Sequence, residues 1–125
     1  MVKSMPTVLV VEDSPAQREM ISGLLKANGL NVSFAGDGVE ALQQVQGKCP
    51  DLVLLDIILP RMNGYEVCRR LKSDERTQNS PVVICTNKSE RFDLYWAIKQ
   101  GADAYISKPF YPQELVETVK YLLRG

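Results

Sequence analysis

Short apolar runs alternate with longer amphipathic stretches along the whole chain. Five runs are candidate strands: Thr7–Val11, Asn31–Ala35, Leu52–Leu55, Val82–Cys85 and Ala104–Ser107. The stretches between them carry apolar residues at the three- and four-residue spacing of one helix face. Strands that alternate with helices predict βαβ units and therefore a parallel sheet. The pattern thus indicates an α/β domain of five strands, each followed by a helix.

The strands differ in polarity, which predicts their places in the sheet. The first, third and fourth are almost wholly apolar, as strands covered on both faces should be. The second contains Asn31 and Ser33 and is expected at an edge. Three residue pairs with capping-box spacing mark helix starts: Ser14 with Gln17, Asp37 with Glu40, and Asn63 with Glu66. Pro112 is placed to open the last helix.

Composition narrows the possible functions. The 125 residues are 45% hydrophobic and 24% charged, which is typical of one globular domain with its own core. Basic and acidic residues number 15 each, which argues against a nucleic-acid or membrane-binding surface. Histidine is absent, which excludes histidine-ligated zinc, a Ser-His-Asp triad and phosphohistidine on this chain. Three cysteines without metal-like spacing, and no apolar leader or membrane-length run, predict a cytoplasmic protein.

Polar residues follow four of the predicted strands at their carboxyl ends. They are Glu12 and Asp13, Asp56, Thr86, and Lys108. In an open parallel sheet, the carboxyl ends of the strands line the ligand crevice. We therefore expect these five side chains to converge.

Three neighbouring carboxylates repel one another and need positive charge beside them. Lys108 supplies one charge, and Mg²⁺, which prefers a few carboxylates together with water and phosphate oxygens, supplies two. A carboxylate beside a metal ion and an ammonium group is suited to attack a phosphoryl group and hold it as an acyl phosphate. We interpret Asp56 as that acceptor, Asp13 as a direct metal ligand, and Glu12 as a ligand through water.

These residues resemble the receiver domain of two-component response regulators. The resemblance rests on Glu12-Asp13, the run Asp56–Gly64, Thr86 and Lys108-Pro109, in order over essentially the whole chain. It implies a flavodoxin-like (βα)5 doubly wound sheet with strand order 2-1-3-4-5. It also implies that a sensor histidine kinase phosphorylates Asp56, and that Mg²⁺ binds Glu12, Asp13, Asp56 and the carbonyl of Ile58.

The resemblance further implies how such a signal leaves the domain. Thr86 and Tyr105 would form a switch pair and Lys108 the phosphate counter-ion, with a Lys108-Pro109 bond that is commonly cis in the family. Output would be binding of a downstream protein, not nucleic acid or membrane, through a surface between helix four and helix five. Trp96, Tyr105 and Tyr111 are candidate anchors there, since interfaces favour aromatic residues.

Residues 1–125 are expected to form one receiver domain without an output domain, similar to the stand-alone chemotaxis type. The stretch Asp93–Trp96 followed by Gln100–Ala102 resembles the PilH branch, which implies a role in chemotaxis, phototaxis or pilus-based motility. The chain would be a signalling protein rather than an enzyme, catalysing only its own phosphorylation and dephosphorylation. A monomer that dimerises on phosphorylation is compatible with this prediction.

Some positions depart from the family pattern. Glu12 and Asn63 stand where aspartate is frequent, and Asn87 stands where a small residue usually follows the threonine. The larger Asn87 side chain is expected to hinder inward movement of Thr86. Ile58, which with Lys88 flanks the site, has no polar group to orient an attacking water, so slow self-dephosphorylation is expected.

Three other functions fit parts of the sequence. A magnesium-dependent aspartyl phosphatase normally needs a second acid two residues after the nucleophile, where this chain has Ile58. A flavodoxin needs a first loop that cradles phosphate, which Glu12-Asp13 would repel. A receiver-like protein that signals without phosphorylation stays open because of Asn87.

Overall fold

The computed structural model describes residues 5–87 and 91–124. The elements in chain order are β1 Thr7–Val11, α1 Pro15–Lys26, β2 Asn31–Ala35, α2 Gly38–Gly47, β3 Leu52–Leu55, α3 Gly64–Ser73, β4 Val82–Thr86, α4 Arg91–Lys99, β5 Ala104–Ser107 and α5 Pro112–Arg124. Lys88 lies outside the described residues. None of the helices within these ranges is both long and apolar enough to span a bilayer.

The five strands form one parallel sheet in the order β2-β1-β3-β4-β5, which confirms the predicted flavodoxin-like topology. Strand β2 lies at an edge, as its polar residues indicated. One expectation was wrong by a residue: β4 does not end at Cys85 but includes Thr86, because Thr86 pairs with Ser107 on β5. The threonine is therefore held by the sheet rather than by a loop.

Alternating residues of the strands belong to two apolar layers, one on each face of the sheet. The layer under α2, α3 and α4 includes Leu9, Val53 and Ile84. The layer under α1 and α5 includes Val10, Leu54 and Val83. Successive side chains on a strand point to opposite faces, so a central strand must be apolar at every position. Burial on both sides makes the sheet a rigid support for the residues at its carboxyl edge.

The helix starts follow the predicted capping spacing. The side chains of Ser14, Asp37 and Asn63 accept hydrogen bonds from backbone N–H groups three residues later. A cap of this kind satisfies one of the N–H groups that the first helical turn leaves without an intrahelical partner.

Gly64 fixes the loop that follows Asp56. A Cβ atom at residue 64 would lie 2.2 Å from the Asp56 carbonyl oxygen, which is far inside contact distance. The Gly64 N–H donates to the Ile57 carbonyl over 2.8 Å. Only a glycine allows α3 to begin this close to the end of β3, and the Asp56 loop is held down as a result.

Candidate functional site

The carboxyl ends of three strands bring one ammonium group between two carboxylates. The Lys108 Nζ donates to Glu12 Oε2 over 2.7 Å and to Asp56 Oδ2 over 2.9 Å. Residue 108 follows β5 at the edge of the sheet, whereas residues 12 and 56 follow the inner strands β1 and β3. The structure therefore brings together Glu12, Asp56 and Lys108, which the sequence placed at separate strand ends.

This ion cluster is buried. Glu12 is 4% exposed and Asp56 is 7% exposed, and the Lys108 side chain is equally inaccessible. Charges removed from water are strongly unfavourable unless they are paired and hydrogen-bonded. Two carboxylates share one ammonium, so the buried cluster carries a formal charge of minus one. The geometry therefore leaves an excess of negative charge in this buried ion cluster.

Several donors converge on the Asp56 carboxylate. The Ile58 N–H donates to Asp56 Oδ1 over 3.1 Å, the Lys108 ammonium contacts the other oxygen, and the Thr86 hydroxyl is also hydrogen-bonded to this side chain. Burial by itself acts to raise the pKa of Asp56, but these donors outweigh it and the pKa lies below its usual value. Asp56 is therefore ionised at neutral pH.

Glu12 has the opposite balance. Burial raises the pKa of the Glu12 carboxyl, and the contacts with Lys108 and with the Ser14 N–H offset it only in part. Burial acts to lower the pKa of Lys108, yet its two carboxylate partners hold it above the usual lysine value. The Lys108 ammonium therefore stays charged. Of the two carboxylates, Glu12 is the one that is less stabilised in its ionised form.

Sequence reasoning missed one member of this cluster. Gln17 was predicted to close a capping box with Ser14, but its Oε1 accepts a hydrogen bond from Lys108 Nζ. The residue lies in the first turn of α1, which starts directly after the Glu12-Asp13 loop at the same edge of the sheet. This position could have predicted that Gln17 joins the cluster, because a side chain there lies beside the strand ends.

Asp13 lies apart from the buried ions. Its side chain is exposed, and within residues 5–87 and 91–124 no three acidic or thiol side chains are already gathered as a metal cage. The Lys108 ammonium contacts both Glu12 and Asp56. The donor set nevertheless suits Mg²⁺: adding Asp13 to the cluster gives hard carboxylate oxygens with a formal charge of minus two, at an edge open to solvent.

The predicted switch and surface residues lie in different environments. Thr86 is fully buried beside Asp56, and the Tyr105 ring packs on the core cluster under α4. The Tyr105 hydroxyl is buried and has no hydrogen-bond partner among the described residues. Trp96 is 41% exposed and Tyr111 is 82% exposed. Trp96 and Tyr111 are thus surface residues, whereas Tyr105 is half-buried. The Lys108-Pro109 peptide bond is cis, as the resemblance implied.

Comparison with known proteins agrees with this geometry. Residues 8–120 match the model of the response regulator receiver domain. The protein PilH of Pseudomonas aeruginosa is 34% identical over 121 residues, which cover 97% of this chain and 100% of PilH. The DNA-binding response regulator MtrA of Mycolicibacterium smegmatis is 44% identical over 117 residues, which cover 94% of this chain and 50% of MtrA. The chain therefore spans about half the length of that relative.

A solved structure with a bound metal is also similar. It is the receiver domain of the sensor histidine kinase PA1611 of Pseudomonas aeruginosa, with a magnesium ion coordinated in the active-site cleft. Its sequence is 26% identical, the TM-score is 0.90, and the superposition covers 97% of this chain and 99% of that chain.

Proposed function

The chain belongs to the response regulator receiver family, and on that premise we propose that Asp56 accepts a phosphoryl group from a sensor histidine kinase. The observation that carries the proposal is the buried, ionised Asp56 carboxylate beside the Lys108 ammonium and the Thr86 hydroxyl. The phosphorylated protein then acts by binding a protein partner. Among the described residues, this carboxylate combines a low pKa with donors positioned for phosphoryl oxygens.

The proposed transfer uses groups of this chain. An Asp56 oxygen attacks phosphorus in line, a P–O bond to Asp56 forms, and the P–N bond to the kinase histidine breaks. Lys108 and Thr86 then contact phosphoryl oxygens and stabilise the negative charge on them. Mg²⁺, held by Glu12, Asp13, Asp56 and the Ile58 carbonyl, would supply further positive charge beside the phosphoryl group. Magnesium binding is a general property of this family.

A small phosphodonor tests the acceptor directly. Wild-type protein incubated with acetyl phosphate and Mg²⁺ should gain the mass of one phosphoryl group, and Asp56→Asn should gain none. Asp51→Asn is the matched control, since residue 51 precedes the same strand at its opposite end, where it accepts a hydrogen bond from the Thr7 N–H. Equal phosphoryl incorporation in wild type and Asp56→Asn would reject the proposal, and no incorporation in wild type would favour signalling without phosphorylation.

The lifetime of the phosphorylated state is part of the proposal. Ile58 is exposed beside the acceptor and carries no polar group that could orient an attacking water. We therefore expect slow loss of phosphate, and Ile58→Asn should accelerate it. The decay is followed by mass spectrometry after the phosphodonor is removed. A wild-type lifetime of seconds with Mg²⁺ present would contradict this expectation.

The output surface proposed here is the face formed by α4, β5 and α5. Its support is the set of large apolar side chains that are exposed on α4, together with Tyr111 directly before α5: Phe92, Leu94, Tyr95, Trp96, Ile98 and Tyr111. Phe92 and Trp96 stack on each other, and exposed apolar surface is characteristic of protein contact sites. Trp96→Ala and Tyr111→Ala should weaken binding of the target while Asp56 is still phosphorylated at the normal rate.

The pathway is proposed from one relative. Similarity to PilH over its full length supports a receiver that works without an attached output domain, in taxis or pilus-based motility. DNA binding belongs to MtrA, of which this chain matches only half, and it is not proposed here. Replacing the gene in its source organism with the Asp56→Asn form should abolish the directed movement that the wild-type gene supports, and normal movement would reject the pathway.

A further inference from the structure

A buried carboxylate on α4 has no part in the phosphoacceptor site. Asp93 is 8% exposed, and with Ala97 it forms the buried side of the helix. The Tyr65 hydroxyl, from α3, donates to Asp93 Oδ1 over 3.3 Å and to the Asp93 carbonyl over 3.2 Å. This hydroxyl links α3 to α4.

The contact uses little of what the Asp93 carboxylate can accept. A carboxylate has about four lone-pair sites, and in the described residues only one phenol hydroxyl, at long distance, donates to it. A buried carboxylate with so few hydrogen bonds is stabilised by any further donor that reaches it. The first-turn position of Asp93 near the α4 N-terminus helps to explain why the charge is tolerated meanwhile.

A hydroxyl donor without a partner lies on β5, the strand that follows α4 in the chain. The Tyr105 hydroxyl is buried without a hydrogen-bond partner in the part of the chain that the structure describes. Burial, and next the charge of Asp93, raises the pKa of Tyr105 to about 12, so the carboxylate lies within electrostatic range of this hydroxyl. Tyr65 and Tyr105 also pack against the same core cluster. One of these two hydroxyls is therefore bonded to Asp93, and the other has no hydrogen-bond partner among the described residues.

We propose that Asp93 is a shared acceptor that changes its donor when the protein is activated. In the state described here Tyr65 donates to it, and after phosphorylation of Asp56 the Tyr105 hydroxyl replaces Tyr65. This inference rests on the proposed function, because movement of Thr86 towards the phosphoryl group is what frees Tyr105 to approach Asp93. The exchange breaks the hydrogen bond between α3 and α4 and forms one between β5 and α4. The orientation of the exposed side chains on α4 changes as a result. Asp93 is thus a positioning residue for the output surface.

Beryllofluoride, a stable mimic of the aspartyl phosphate, gives the test. Its dissociation constant is measured by calorimetry in Mg²⁺ buffer for four proteins: wild type, Tyr65→Phe, Tyr105→Phe and the double variant. Loss of one net hydrogen bond, about 1 kcal/mol, changes an equilibrium about fivefold. Tyr65→Phe should bind about fivefold more tightly than wild type. Tyr105→Phe should match wild type, because Tyr65 then stays on Asp93 in both states. Tyr95→Phe, an exposed tyrosine of the same helix, should match wild type.

The double variant decides between exchange and two independent contacts. If Tyr105 replaces Tyr65 on Asp93, removing the Tyr65 hydroxyl has no benefit once Tyr105→Phe is present, and the double variant should bind like Tyr105→Phe alone. Fivefold tightening by Tyr65→Phe in both backgrounds would overturn the inference and leave the proposed function intact. Failure of wild type to bind beryllofluoride at all would overturn both.

The unliganded protein gives an independent readout. In urea denaturation, Tyr65→Phe should lower the free energy of unfolding, because Asp93 loses its donor. Tyr105→Phe should not lower it, because that hydroxyl has no bond to lose. Equal losses in the two variants would show that Tyr105 already has a partner and would overturn the inference. Trp96, the single tryptophan of the chain and a neighbour of Asp93 on α4, reports by its emission whether each variant keeps the helix folded.

Discussion

Two clusters of three charges in this molecule have opposite compositions and opposite surroundings. Glu12, Asp56 and Lys108 are two acids and one base, buried at the carboxyl edge of the sheet. Glu66, Arg69 and Arg70 are one acid and two bases on the exposed face of α3. Both clusters contain close contacts between opposite charges, but only the first is withdrawn from water.

The difference separates an ordinary surface ion pairing from a charge arrangement that suits the proposed function. On α3, residues three and four apart meet on one helix face, and water screens the pairing, so the cluster contributes little stability. In the buried cluster, residues that follow three strands are held together at the expense of desolvation, and negative charge is in excess. A buried cluster that costs desolvation energy and carries net negative charge is suited to bind a cation, and with it a phosphoryl group.

The largest effect is expected from removing the buried ammonium. Lys108→Met leaves Glu12 and Asp56 facing each other without a counter-charge and should cost about 3–5 kcal/mol of unfolding free energy. Urea denaturation without divalent ions measures it. Lys72→Met is the control, since Lys72 pairs with the partly exposed Asp103 over 2.7 Å and should cost about 1 kcal/mol. Similar losses of unfolding free energy in the two variants would remove the distinction between fully buried and partly exposed ion pairs.

Magnesium should raise the free energy of unfolding by binding at the buried cluster of Glu12, Asp56 and Lys108. The exposed α3 cluster should have no part in this gain. At an ion concentration 100 times the dissociation constant, binding to the folded state alone adds about 2.7 kcal/mol. Thermal unfolding with and without Mg²⁺ measures the gain. We expect Asp13→Asn to reduce it strongly, whereas Glu66→Gln should keep it in full. A gain of the same size in Asp13→Asn would argue against Asp13 as a ligand.

Replacing Glu12 should stabilise the protein in the absence of metal. Burial raises the pKa of Glu12 above its ordinary 4.5, so the unfolded state holds fewer protons and ionisation of Glu12 destabilises the folded state as pH rises above about 4.5. Glu12→Gln removes that cost, and its melting temperature at pH 7 should exceed that of wild type by a few degrees. The advantage should shrink as the pH is lowered to about 4. A lower melting temperature at pH 7 would mean that the Lys108 contact outweighs burial.

The smallest effect is expected at the exposed cluster. Hydrogen bonds from Arg69 and then Arg70 lower the pKa of Glu66 to about 2, so its stabilising contribution is present above about 4.5 and is lost as pH falls through about 2. Glu66→Gln should therefore lower the melting temperature slightly at pH 7 and not at all at the acid limit. About 1 M salt, which reduces the screening length to about 3 Å, should remove the difference. A difference that persists in high salt would contradict a screened surface pairing.

Local sequence pattern was enough to predict the elements of the fold. The alternation of short apolar runs and amphipathic stretches located all five strands, and the capping pairs located three helix starts, because both depend on residues close together in the chain. The end of β4 was predicted one residue too early, since Thr86 owes its strand pairing to Ser107 on another strand. Boundaries set by a partner strand are not visible in local pattern.

The sequence by itself also determined which side chains reach the functional edge, since the ends of parallel strands lie at the same edge of a sheet. Only the tertiary structure decided how those side chains pair: Gln17 contacts Lys108 rather than closing a cap, Glu12 is buried while the adjacent Asp13 is exposed, and Asp93 faces inward to meet Tyr65. Such pairings depend on burial and on side-chain direction between residues that are distant in the chain. Spacing along the sequence does not show which of these distant side chains meet.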